Sequence, residues 1–363
     1  MKTKKYRNYS KSENTLNNKS FSPSINRKLE INKLKTLEPA EVNFCNNILK
    51  INVGTRKNKR CLNYDNSIVV KHLLKNLESS KHLIPQQFIP PKQLYANCWF
   101  NTMFVIFFFS DKGRKFFRFL RVLMITGKTY DNRLIKNIEL KKLLFILNLY
   151  IEASYNQITN KKIYNEVRTL SKDLNTNFFI SKIYNIIKRT KFRVPNVNIA
   201  GNPFEYYKTI MKYLNYDILK IMNIDIDRKY RKVKEILEYK FNNINNNIDM
   251  IVIEDHESKT KYETSYELVK DDKTYKYVLD SIIITNKEHY NPKENSHFVA
   301  VLTINGKGYK FDGSSYSRLS RFDWKKYINS NKIWKFIENP NYHEEEYSFM
   351  RGYKLLFYYR DNI

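Results

Sequence analysis

Cys98 combines a reactive side chain with a position that can activate it. The chain turns apolar immediately after it, from Trp99 to Phe109 with only Asn101 and Thr102 interrupting, so a helix is predicted to begin at the cysteine. A cysteine at a helix N-terminus lies at the positive end of the helix dipole, which favours the nucleophilic thiolate. Free cysteines are also commonly small core residues. The position alone therefore leaves a nucleophile and a packing residue as alternatives.

His297 and Asp312 supply the other two groups that a cysteine nucleophile needs. His297 starts a predicted strand that ends at Ile304, and Asn305-Gly306 then predicts a two-residue hairpin loop. Counting back from that loop places Asp312 on the same face as His297, one diagonal step away, which two side chains can bridge. A carboxylate there would orient the imidazole and stabilise its cation. The alternative is a polar strand end whose histidine is merely hydrogen-bonded.

Gln93 is a candidate for stabilising a reaction intermediate. Attack by a thiolate on a carbonyl creates an oxyanion, which requires hydrogen-bond donors. Gln93 lies five residues before Cys98 and can offer its side-chain amide beside the backbone N–H of Cys98. Cys98, His297, Asp312 and Gln93 together predict a cysteine peptidase site.

Two kinds of secondary structure must bring these residues together. Residues 66–249 have mainly helical patterns, including a helix start at Asn202-Pro203, where an N-cap residue precedes a proline at the first helical position. Residues 250–363 have β-branched and aromatic runs separated by turn residues, which predicts a largely antiparallel β part. A helical half followed by a β half favours an α+β fold with the site at the seam.

One predicted helix carries a row of arginines. Residues 114–124 place apolar side chains on one face and Arg114, Arg118 and Arg121 on another, and Gly127 ends the helix. We interpret the arginines as a solvated face.

The charge of the chain permits two interpretations. Its 363 residues carry 65 Lys and Arg against 36 Asp and Glu, a net charge of +29, and 42% are hydrophobic, so a real core is expected. Residues 1–65 are predicted to be a basic, mostly disordered arm, since residues 1–60 hold 15 basic and 4 acidic side chains. The arm is a candidate for binding nucleic acid or another polyanion. AT-rich codon bias, which also enriches Lys, Asn, Ile and Tyr, is an equal alternative.

Several classes of protein are excluded by composition. The three cysteines are too few for a disulfide framework and contain no CxxC pair, so neither zinc nor another metal or cofactor is expected, and a reducing intracellular compartment is the default. The longest apolar run is well short of the roughly 20 residues that a membrane span needs. No apolar segment follows the basic N-terminus, which argues against a secretory signal.

Five segments of the sequence resemble motifs of the ubiquitin-specific proteases, in the order of that family. The segment around Cys98 resembles the family's Cys box, and the hairpin from His297 to Asp312 resembles its His box. Three others resemble the helix start between the boxes, the strand before the His box and the last strand of the catalytic domain. The five segments are residues 93–102, 202–207, 275–285, 297–312 and 352–360.

The resemblance implies a papain-like cysteine protease fold, with a helical thumb followed by an antiparallel β palm, over residues 66–363. It implies that Cys98 is the nucleophile, His297 the base and Asp312 the orienting acid. Gln93 stands where the family has Asn, and Gly313 stands where it often has a second acidic residue. The family's zinc-binding cysteine pairs are absent, so any fingers are shortened or metal-free.

The resemblance also implies candidates for substrate binding. Asn101 belongs to the Cys-box motif, and the family holds the basic tail of ubiquitin with acidic residues near the cleft. Glu254 and Asp255 are such candidates here, with Glu263 and Glu267 as further ones. Solvated loop charges are the alternative interpretation of these acidic residues.

The leading prediction is a thiol-dependent deubiquitinase or isopeptidase that cleaves after the C-terminal glycine of ubiquitin or a ubiquitin-like modifier. The alternative is a protease-fold protein, catalytically idle or processing precursors, that serves as a basic, nucleic-acid-associated virion component. AT-biased composition and a reduced family core fit a large DNA virus or an AT-rich eukaryotic parasite. The expected location is then the cytoplasm or nucleus of a host cell, or a virion.

Overall fold

A computed structural model of the protein contains two unequal β-sheets and eight helices within the part of the chain that it describes. The described residues are 43–45, 47, 49–55, 58–78, 83–85, 88, 91, 93, 95–155, 176–197, 202–215, 220–226, 232–244, 248–256, 260–286, 297–314, 316–336 and 345–361. Most of the predicted basic arm, with its proposed contact to nucleic acid, lies outside these residues.

The first half of the described chain is mainly helical, as predicted. Every residue of the helix that begins at Cys98 is buried. This is expected of a helix whose own side chains are apolar on almost every face. The helices are α1 (Ser67–Glu78), α2 (Cys98–Phe109), α3 (Gly113–Phe116), α4 (Arg118–Thr126), α5 (Ile138–Tyr155), α6 (Thr176–Ile187), α7 (Pro203–Tyr213) and α8 (Val233–Asn243).

Strands dominate the second half, which makes the fold α+β. Eight strands form one sheet: β4 (Ile221–Ile226), β5 (Met250–Asp255), β6 (Ser265–Lys270), β7 (Lys273–Thr285), β8 (Phe298–Ile304), β9 (Lys307–Asp312), β10 (Tyr316–Arg321) and β11 (Lys354–Arg360). Their order is β10-β9-β8-β7-β11-β5-β4, and β6 pairs with β7. All pairs are antiparallel except β4 with β5, which α8 connects in parallel. This βαβ unit was not predicted.

The hairpin of β8 and β9 has the predicted register. Asn305 and Gly306 form the two-residue loop with φ of 50° and 71°, and Ile304 pairs with Lys307. Positive φ at both positions is what this type of hairpin loop requires. The predicted helix start at Asn202 is also confirmed, since its side chain accepts hydrogen bonds from two backbone N–H groups of α7.

The helix predicted over residues 114–124 differs from the structure in two ways. It is divided into α3 and α4 at Phe117, and the interpretation of its arginines as a solvated face is wrong for Arg118 and Arg121, which are buried. Arg121 forms an ion pair with Glu152 of α5 and donates to Asn148 from Nε at 3.0 Å. The buried charge is therefore paired, as burial requires.

The end of the predicted arm is folded rather than disordered. Three strands, β1 (Asn43–Phe44), β2 (Lys50–Thr55) and β3 (Asn58–Asn63), form a small sheet. Its buried Ile51 and Val53 belong to an apolar cluster with side chains of α1, α4 and α5, and this burial offsets the entropy of ordering the segment. This part of the predicted arm packs on the helical half, and the domain boundary at residue 65 stays a prediction.

A disulfide joins Cys45 to Cys61 across this small sheet. The cysteine count was taken to exclude a disulfide framework, but a single bridge needs only two residues, and the β1–β2–β3 meander brings these together. Cys98 is the free cysteine.

The main core lies between the large sheet and the helices. α2 packs against β7, β8 and β9 on one side and against α7 on another, so the helix carrying Cys98 touches the hairpin carrying His297. Among the helices of the described residues, none is both long enough and apolar enough to cross a membrane.

Candidate active site

Cys98 is the first residue of α2 and is held there by a buried polar network. Asn97, just before the helix, donates from its side-chain amide to the Thr176 hydroxyl at 2.6 Å, and that hydroxyl donates to Asn101 Oδ1 at 2.6 Å. Thr176 is the first residue of α6, so this network ties the starts of α2 and α6 together. The position of Cys98 is therefore fixed by side chains at the starts of two helices.

His297 and Asp312 are in direct contact, as the hairpin register predicted. His297 Nε2 lies 2.7 Å from Asp312 Oδ1, and Asp312 is buried. Because Nε2 faces the carboxylate, Nδ1 is the ring nitrogen left for another partner, and Cys98 lies close enough to His297 to raise the pKa of the imidazole. The structure thus brings Cys98, His297 and Asp312 together.

The electrostatics of this group favour a charged imidazole. Burial by itself lowers the pKa of His297, whereas the hydrogen bonds to Asp312 and Cys98, together with their charges, raise it to about 10. The net rise means that two acidic partners outweigh the cost of desolvating the ring. An imidazolium between a thiolate and a carboxylate is the arrangement that cysteine peptidases use.

Ser314 is a site residue that the sequence argument missed. Its Oγ lies 3.1 Å from His297 Nε2 and 3.0 Å from Asp312 Oδ1, and its backbone N–H donates to the same carboxylate oxygen at 2.8 Å. The signal was available, since the hairpin register that selected Asp312 also places Ser314 opposite His297. A short Asp-x-Ser turn after a strand commonly closes with such bonds.

Gln93 lies beside the turn that follows Asp312. Its backbone N–H donates to the Gly313 carbonyl at 3.2 Å, and its buried Oε1 has no hydrogen-bond partner among the residues described. A Cβ on Gly313 would stand 3.2 Å from Asn101 Nδ2 and 3.4 Å from Gln93 Cβ. Because Gly313 has no side chain, the segment before Cys98 can approach the turn after Asp312 closely.

Two of the predicted substrate-binding residues do not face a substrate. Asp255 is fully buried and accepts from Lys354 Nζ at 2.7 Å and from the Tyr262 hydroxyl at 2.5 Å, so it is a structural ion pair. Asn101 is also fully buried, where it accepts from Thr176. Both residues were predicted to bind substrate. Their polar atoms instead bond to partners inside the core, which a position near a sequence motif does not exclude.

Glu254 is half-buried and remains a candidate for contact with substrate. Its Oε1 accepts from the Tyr353 hydroxyl at 2.7 Å and from Asn202 Nδ2 at 2.9 Å, and His256 Nε2 lies 3.5 Å away. Burial raises the pKa of Glu254, and its hydrogen bond to Tyr353 opposes that rise. The Tyr353 ring lies 6.2 Å from that of Phe298, the residue after His297.

The described residues contain no group of three or more His, Cys, Asp and Glu side chains placed to hold a metal ion.

Comparisons with known proteins give a structural likeness alone. No protein-family model and no curated protein matches the chain. The solved SAGA Ubp8/Sgf11/Sus1/Sgf73 DUB module bound to ubiquitin aldehyde is similar with a TM-score of 0.45 and 10% identity, covering 76% of this chain and 70% of that one. The same values hold for the module with a cysteine-substituted Ubp8 bound to monoubiquitin. A yeast SAGA DUB module with a substituted Sgf73 gives a TM-score of 0.39 and 12% identity, covering 76% of this chain and 69% of that one.

Proposed function

We propose that the protein is a cysteine peptidase that cleaves after the C-terminal glycine of ubiquitin or a ubiquitin-like modifier. The helical half would serve as the thumb and the antiparallel sheet as the palm of a papain-like fold. One observation carries the proposal. His297 contacts Asp312 through one ring nitrogen at 2.7 Å, and Cys98, the first residue of a buried helix, lies close enough to raise the pKa of the same imidazole.

The first chemical step follows from that order of groups. The Cys98 thiolate attacks the carbonyl carbon of the substrate's terminal glycine, and the carbonyl oxygen takes the negative charge. The backbone N–H of Cys98 is a donor for this oxygen, because the first N–H groups of a helix have no intrahelical acceptor. The Gln93 side-chain amide is the proposed second donor.

His297 completes both halves of the reaction. The imidazolium gives its proton to the leaving amine as the C–N bond breaks, which leaves a thioester on Cys98. The neutral imidazole then takes a proton from water as that water attacks the thioester. The released acid and the regenerated thiolate–imidazolium pair return the site to its first state. Asp312 stabilises the ring cation each time it forms.

Two sets of residues support a ubiquitin-like substrate over other peptides. Of the five segments that resemble the ubiquitin-specific proteases, the strand before the His box pairs with both the His-box hairpin and the last strand. The carboxylate of Glu254 is fixed by Asn202 and Tyr353, which belong to two of those segments. A fixed carboxylate beside the cleft suits the basic tail of a ubiquitin-like modifier.

A ubiquitin probe with a C-terminal electrophile tests the proposal directly. The wild-type chain should form a covalent adduct on Cys98, and Cys98→Ala should form none while keeping its circular dichroism spectrum. A double substitution of Cys45 and Cys61 to Ser is the matched control and should still be labelled. Equal labelling of wild type and Cys98→Ala would remove Cys98 as the nucleophile.

A small electrophile separates the chemistry from the substrate. If iodoacetamide alkylates Cys98 selectively but the ubiquitin probe does not, the peptidase site stands and ubiquitin is not its substrate. If neither reagent reacts at Cys98 in a folded protein, the peptidase proposal is wrong.

A further inference from the structure

We propose that the protein binds single-stranded nucleic acid on a basic and aromatic surface that runs along α6 and the segment directly after it, outside the candidate active site. We call it the α6 surface. It consists of Lys182, Lys188, Arg189, Lys191 and Arg193 with the rings of Phe178, Tyr184 and Phe192.

The cations of this surface are exposed and are not balanced by acidic residues. All five are exposed, and none forms an ion pair with a carboxylate in the part of the chain that the structure describes. The sequence contains no Asp or Glu from residue 176 to residue 204. The positive electrostatic potentials of the five cations therefore add together. Such a concentration of positive charge is typical of surfaces that bind phosphates.

Aromatic rings alternate with these cations. Lys182 Nζ lies 5.6 Å from the Phe178 ring, Lys188 Nζ 5.6 Å from the Tyr184 ring, and Lys191 Nζ 5.4 Å from the Phe192 ring. The Phe178 side chain is 47% exposed. Tyr184 and Phe192 are partly buried against the main core, so their rings are accessible only in part. An accessible ring can stack on an unpaired base, whereas the bases of a duplex are already stacked on one another. The combination favours a single strand.

Helix capping does not account for the whole surface. Cations stabilise the negative C-terminal end of a helix dipole. That role explains Lys188 and Arg189, which directly follow the last residue of α6, Ile187. It does not explain Lys182 inside the helix, nor the two cations further along the chain at residues 191 and 193.

A second basic region of the protein differs from the α6 surface in that its cations are paired with carboxylates. Near β10, Arg321 and Lys326 both pair with Asp323, and Lys335 pairs with Glu346 at 2.8 Å. Arg321 also lies 5.5 Å from the Tyr309 ring, and each of these three cations has a carboxylate partner. The α6 surface differs in having no such partner among the described residues.

The α6 surface is separate from the candidate active site. Thr176 begins α6 and contacts Asn97 beside Cys98, whereas four of the five cations follow the last residue of the helix and the fifth, Lys182, lies in its middle. A helix of this length spans about 18 Å. The inference therefore does not depend on the proposed peptidase activity, and either can fail alone.

Fluorescence anisotropy of a labelled oligo(dT) with the full-length protein tests the inference. We compare the wild type with K188Q/R189Q/K191Q/R193Q, whose side chains are exposed, so folding should be preserved. Four neutralised phosphates give a salt slope of about −3 on a log–log plot, or about 50-fold weaker binding between 50 and 200 mM salt. The variant should bind at least about tenfold more weakly and lose most of that slope.

A matched variant controls for net charge, including that of residues 1–42. K234Q/K261Q/K273Q/K276Q removes the same number of exposed charges from other elements and should bind within about twofold of wild type. Ultraviolet cross-links should map to Phe178, Tyr184 or Phe192. Equal weakening of the two variants, cross-links confined to residues 1–42, or equal competition by polyglutamate or duplex DNA would each overturn the inference.

Discussion

The two sides of the candidate active site are held by different kinds of interaction. On the helical side, Cys98 is positioned by side chains, since Asn97 and Asn101 both bond to Thr176 of another helix. On the sheet side, His297 and Asp312 are positioned by the backbone, because the register of the β8–β9 hairpin sets their separation. The catalytic geometry depends on both sides meeting where α2 packs on the sheet.

Because of this difference, substitutions on the two sides of the site should have different effects. A backbone register is shared among many hydrogen bonds, so a single side chain on the hairpin alters the chemistry of the site with little effect on its shape. A buried side-chain network has few members, and losing one leaves the others without partners. Substitutions on the sheet side should therefore change activity, whereas those on the helical side should change activity and stability together.

The largest effect is expected from Asp312→Asn. The imidazole would keep its place but lose the carboxylate that stabilises its cation, so kcat/KM for a ubiquitin-derived substrate should fall by about 10⁴. The pKa of His297 should also fall, which would move the alkaline limb of the rate profile from about pH 10 to a lower pH. Unchanged activity in a pH-rate series would contradict the role of Asp312.

The same substitution changes how stability depends on pH. Because folding raises the pKa of His297 above its ordinary value of 6.5, the ion pair stabilises the wild-type fold fully below that pH. This stabilisation is lost as the pH rises through about 10. Urea denaturation of wild type and Asp312→Asn should therefore converge at high pH. Asp323→Asn, an exposed carboxylate elsewhere, should show no such convergence.

An intermediate effect on activity is expected from Thr176→Val. Valine has the shape of threonine without its hydroxyl, so two buried amides would lose a partner, and the free energy of unfolding should fall by about 2–4 kcal/mol. Displacement of the nucleophile should lower kcat/KM by up to about 100-fold. Thr176→Ser, which restores the hydroxyl, should recover most of both, as measured by urea denaturation and initial rates. Loss of activity without loss of stability would refute the proposed division between the two sides.

The smallest effect is expected from Ser314→Ala. Its hydroxyl bonds to a carboxylate that also accepts the Ser314 backbone N–H, so one of several bonds would be removed. Activity should fall by about two- to tenfold, the alkaline limb should shift slightly downward, and stability should be unchanged. A loss as large as that of Asp312→Asn would show that the hydroxyl, rather than the carboxylate, orients the ring.

The sheet side was predictable from the sequence because its determinants are local. Asn305-Gly306 specified the loop length, and counting along two strands then placed Asp312 beside His297. The helix start at Cys98 followed from the apolar run after it, and that at Asn202 from the proline after it. Each of these patterns lies within about fifteen residues.

The helical side was not predictable because its contacts join distant parts of the chain. Thr176 lies 79 residues from Asn97, and no local pattern distinguishes it from other threonines. Arg121 was assigned to solvent because its buried partner, Glu152, belongs to another helix 31 residues away. Long-range polar pairs override the periodicity from which an exposed face is predicted.

The cysteines of this chain require opposite redox states. In the proposed reaction Cys98 can attack a carbonyl only as a free thiolate, so an assay of the proposed peptidase needs a reductant. The same reductant acts on the bridge between Cys45 and Cys61, of which Cys61 is exposed. Treatment with dithiothreitol would therefore activate the nucleophile while releasing the small sheet from its covalent tie. The concentration of reductant in the buffer thus decides whether the Cys98 thiol is kept reduced or the Cys45–Cys61 disulfide is kept intact.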